Sequence, residues 1–64
     1  MSFILNNIKY FYVKYLALGW NSTVHLIKDI NNNYYVAKIS NEYLDEMIDD
    51  IITSNPKYNR LILV

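Results

Sequence analysis

The stretch LGWNSTVHLIKDINNNYYVAKIS, residues 18–40, decides the fold. Gly19, the chain's one glycine, closes a Tyr-rich apolar run, IKYFYVKYLAL, at residues 8–18. Such residues suit a pleated, half-buried surface, and glycine enters positive φ without steric cost. A second strand fits STVHLIKD at 22–29 and a third fits YYVAKI at 34–39. Asn31, Asn32 and Asn33 lie between them, and Asn tolerates the left-handed conformation of hairpin turns. After Ser40 the period changes. Leu44, Met47, Ile48, Ile51 and Ile52 recur at helical spacing, one stripe of an amphipathic helix.

Working outward, Ser40 or Asn41 can cap that helix, and Glu42 and Asp45 place negative charge where its dipole favours it. Pro56 stops it. Leu61 to Val64 make a fourth short strand. The expectation is an α+β fold: a small antiparallel sheet of three to four strands, with one helix at about residues 41–54 packed on it and Val64 near an edge.

The bulk properties bound the function. Residues 1–64 make a single partial domain, and a chain this size buries only roughly 60% of its unfolded surface. It has no Cys and one His, so neither disulfides nor a structural zinc site can supplement the core. Its hydrophobic content of 53% is too high for a disordered tail. No apolar run approaches the roughly 20 residues of a membrane span. Met1 to Leu5 run straight into Asn6-Asn7, which leaves no signal-peptide core. An intracellular, cytoplasmic protein is the default expectation. Formal charge is zero with cations scattered, which argues against nucleic acid or membrane as partner. His25 reads as a half-buried strand residue, and no nucleophile is paired with a base.

The segment 18–40 resembles the start of a serine/threonine protein kinase: a strand ending in a Gly-rich turn, a strand beginning with Val, and a strand carrying Lys. Leu18-Gly19-Trp20 followed by Ser22-Thr23-Val24 is similar to the SR-protein kinases, and Tyr43 and Asp49-Asp50-Ile51 extend the likeness over residues 10 to about 64. The resemblance implies part of a kinase N-terminal lobe. Leu18, Gly19, Trp20, Asn21 and Ser22 would then form the nucleotide loop. Leu18, Val24 and Val36 would wall the adenine, Lys38 would reach the α- and β-phosphates, and Asp50 would pair with Lys38. Strand alternation alone also explains Val-Ala-Lys, with the lysine snorkelling.

The chain departs from the kinase pattern in four places. The loop is about two residues short and lacks its second glycine. Val36 stands where the family has Ala, which crowds the adenine slot. Asp50 is a methylene shorter than the family's Glu, and helical geometry does not choose it over Asp45. These 64 residues contain no hinge, no His-Arg-Asp loop and no Asp-Phe-Gly. The resemblance therefore implies a pseudokinase-like fragment, with ATP binding weak or lost and magnesium held only by an intact parent kinase. The other reading is a small interaction or inhibitor protein acting through its sheet edge. Either reading leaves apolar sheet exposed to a protein partner or to self-association.

Overall fold

The computed structural model describes residues 1–19, 22–39 and 46–63. The chain runs β1 (Ser2–Leu5), β2 (Ile8–Gly19), β3 (Ser22–Asp29), β4 (Tyr34–Ile39), α1 (Glu46–Ser54) and β5 (Asn59–Leu63). The five strands lie in the sheet in chain order. Pairing is antiparallel from β1 to β4 and parallel between β4 and β5. The α+β architecture of a small sheet with one packed helix is as expected, and β3 and β4 have the expected limits.

Three features differ. The segment Met1 to Leu5 supplies an extra strand, because Asn6 and Asn7 both take positive φ, 51° and 64°. Leu5 pairs with Ile8 across that two-residue turn, the geometry that matches strand twist. Gly19 does not use its conformational freedom: no glycine has positive φ, and Gly19 ends β2 paired with Ser22. Asn32 makes the corresponding turn in the next hairpin, at φ 62°. Finally, β5 is parallel because the path from β4 crosses back through α1, and only such a crossover joins parallel neighbours. The expected caps Ser40 and Asn41, the first-turn acids Glu42 and Asp45, Tyr43, Leu44, Trp20, Asn21 and Val64 lie outside the described residues.

At its far end α1 stops where expected. The Asn55 side-chain amide donates to the Ile51 carbonyl at 2.9 Å, satisfying one of the acceptors a helix end leaves open. Asn55 N–H donates to the Ile52 carbonyl, and the turn through Pro56 delivers the chain to β5. Arg60 on β5 pairs with Asp49 on α1.

The sheet has a core on each side. Under α1, Val24 and Val36 pack against Ile48, with Leu16, Ala17, Ile51, Ile52 and Tyr58 around them. On the opposite face Tyr10, Ile27 and Ala37 pack with Leu5, Tyr35 and Leu61. Nothing among the described residues covers this second face.

Candidate functional site

Cross-strand pairing assigns each side chain to a face, because directly opposed residues share one. Val24 pairs with Lys38 and Leu26 with Val36, so Val24, Val36 and Lys38 share the helix face. Their burial is what decides the chemistry. Val24 and Val36 are 0% exposed, covered by Ile48, and Lys38 is 1% exposed. As packed, the two valines offer no surface on which a base could lie, so these residues do not fit an adenine.

The other residues of that expected site are dispersed. Leu18 pairs with Thr23 on the opposite, open face and is 73% exposed. Gly19 and Ser22 close the β2–β3 hairpin, with Ser22 buried. Trp20 and Asn21 lie outside the described residues. Asp50 is exposed, about 200° round the helix from Ile48 at 100° per residue. It points away from the sheet, and the structure does not bring it to Lys38. Asp45, the other carboxylate, is outside the described residues.

The concavity lies on the open face. Met1, Phe3, Leu5, Tyr12, His25, Ile27, Ala37 and Ile39 line a cavity of about 350 Å³. Its few polar groups are tied to one another. The Tyr12 hydroxyl lies 3.2 Å from His25 Nδ1, and His25 Nε2 lies 3.0 Å from Thr23 Oγ1. Tyr15 packs edge-on against the same imidazole. Such a site is apolar with a fixed polar rim, and at 350 Å³ it falls within the usual size of small-ligand clefts. Among the described residues no three His, Cys, Asp or Glu side chains gather as metal ligands.

Charge is segregated between the faces. Lys9, Lys14, Lys28, Lys38 and Arg60 all fall in helix-face rows. On the open face Asp29 is the one charged side chain among the described residues. Its carboxylate is committed to the turn: Oδ1 accepts from the N–H of Asn31 and of Asn33, each at 2.9 Å. Oδ2 accepts from the Asn33 amide at 3.1 Å and the Tyr35 hydroxyl at 3.2 Å. The Asn33 N–H above all holds its pKa below the ordinary value, against the opposing pull of desolvation; the Asn33 amide, the Asn31 N–H and Tyr35 also lower it. Tyr35 moves the other way, raised by desolvation first and then by the neighbouring Asp29 charge.

Sequence reasoning found the helix-face residues and missed the open-face cavity. The available signal was the pair Asn6-Asn7 between the apolar runs at 3–5 and 8–18, a two-residue hairpin turn. Comparison with protein-family models, with curated proteins and with solved structures gives no match. No helix among the described residues is long and apolar enough to cross a membrane.

Proposed function

We propose that this chain is a protein-interaction module on a scaffold resembling a serine/threonine protein-kinase N-terminal lobe, with ATP binding weak or lost. The observation that carries the reading is the complete burial of Val24 and Val36 beneath Ile48. A nucleotide base needs open apolar walls, and admitting one here means displacing α1 from the sheet. The common face of Val24, Val36 and Lys38 beside a helix supports the kinase-like lineage but not the activity. Magnesium belongs only to an intact parent kinase.

The surface available to a partner is the open face more than the sheet edge. β1 pairs β2 from Ile8 to Phe11, with one further bond from Tyr12 N–H to the Met1 carbonyl. That leaves the outer edge of residues 13–19 without a strand neighbour among the described residues. Two bulges interrupt this stretch, and bulges and lysines are how edges are kept from pairing. The open face has neither guard.

Titration with a fluorescent ATP analogue and magnesium tests the reading. Binding is expected to stay unsaturated below the millimolar range, and Lys38→Met is expected to change nothing beyond that. Micromolar binding that disappears in a folded Lys38→Met variant would return the chain to the nucleotide-binding class.

A further inference from the structure

We infer that the open face is the contact surface between two copies of this chain. A two-fold axis relates the copies, and Leu18 and Tyr15 of each sit in the cavity of the other. The inference deepens the interaction-module reading and rests on it.

The placement of charge is the first support. Strict alternation along β2 from Tyr10 and Tyr12 would bring Lys14 onto the open face. The register shift between Tyr12 and Lys14 prevents this: Lys14 pairs with Leu26 in a helix-face row, and Tyr15 follows onto the open face opposite His25. The second shift, between Tyr15 and Ala17, then delivers Leu18 to the open face opposite Thr23. The two bulges thus exclude a cation from that face and put Tyr15 in its place, while together they leave Leu18 on the face where strict alternation would also set it. Asp29, the one charged side chain of that face among the described residues, is only 9% exposed and bonded within its own turn. Two such faces therefore meet without exposed like charges, and the chain's formal charge of zero adds no long-range repulsion.

The shape of the face is the second support. A two-fold interface must be complementary to itself, so that each patch fits its own copy. This face carries a hollow and, outside its lining, two exposed groups: Leu18 is 73% exposed and Tyr15 51%. A cavity of roughly 150 Å³ already admits a benzene ring, so 350 Å³ has room for a leucine and a phenol.

The extent of the face is sufficient. Five strands at about 4.8 Å make a width of about 24 Å, and strand lengths give a similar height. That footprint is on the order of 500 Å² when taken as flat and larger over its side chains, near the roughly 800 Å² per partner of a standard interface. Stacked sheets close at about 10 Å and interdigitate in this manner.

Sedimentation equilibrium over the micromolar range is the experiment. The wild-type chain is expected to form a dimer, and Leu18→Lys to weaken it about tenfold or more. Lys9→Glu, on the helix face, is expected to leave it unchanged. Circular dichroism establishes that each variant is folded. Because the chain has no cysteine, Leu18→Cys gives a single reporter whose alkylation should slow as protein concentration rises; it decides the matter if Leu18→Lys does not fold. A folded wild-type monomer throughout, a dimer indifferent to Leu18→Lys, or an alkylation rate independent of concentration would each overturn the inference. So would a monomer whose cavity takes up a neutral aromatic probe, which would assign the face to a small apolar ligand. None of these outcomes bears on the nucleotide titration, so the two readings fail separately.

Discussion

Asp29 shows how much of this fold one residue can fix. It ends β3 and gathers two backbone N–H groups, an amide and a phenol onto its two carboxylate oxygens. Those bonds favour the ionised form, so the folded state holds the proton less tightly than the unfolded chain, whose value is near 3.8. The unfolded chain therefore binds the proton first on acidification, and stability falls as pH drops below about 4. Above that range the contribution is fully present. Asp29→Asn should melt lower than wild type at pH 7, and the gap should close toward pH 3. Parallel pH profiles of the two proteins would refute the assignment. Tyr35 has the opposite sign: its raised pKa means stability is lost as pH climbs past 10. An Asp before an Asn-rich turn is a legible turn signal, since such side chains bond their own backbone two residues on. The bond from Tyr35 was not legible, because it depends on the hairpin register.

At the scale of elements, β3 and β4 could be read from the sequence as short apolar runs bounded by turn residues, and Ile48, Ile51 and Ile52 of α1 by their helical spacing. β2 could be read only as a strand. Its run IKYFYVKYLAL is Tyr-rich throughout, so composition did not reveal the two bulges that decide which side chains face which way. β1 was missed because the five residues before Asn6-Asn7 show too little alternation to compete with a terminal extension. The turn itself is testable. Both asparagines occupy the left-handed region, which costs an ordinary L-residue roughly 1–2 kcal/mol. Asn7→Ala should lower stability by about 1 kcal/mol, read as a shifted urea midpoint at unchanged slope. Asn7→Gly should show no loss. Equal losses from both would mean that the asparagine side chain, not backbone geometry, is what the turn requires.

Across the whole molecule, the sheet is held from one side only. Helix α1 seals the helix-face core through Ile48, which is fully buried between Val24 and Val36. The open-face core has no layer above it among the described residues. Domain stability runs at roughly 0.05–0.15 kcal/mol per residue, which for a chain this small is only a few kcal/mol. Truncating a buried isoleucine to alanine costs about 2–5 kcal/mol through lost burial and the cavity left behind. The two quantities are comparable, so Ile48→Ala should abolish cooperative unfolding at 25 °C. Ile39→Ala makes the same chemical change on the open face, where the side chain is 52% exposed. It should cost well under 1 kcal/mol at concentrations where the chain is monomeric, in line with exposed sites generally. Urea titrations followed by circular dichroism separate the two variants directly. If Ile48→Ala kept a cooperative transition within 1 kcal/mol of wild type, the helix would not be what holds the sheet. Val24, Val36 and Lys38 would then be uncovered at little cost, and the reading of this chain as a binding module without a working ATP site would lose its physical basis.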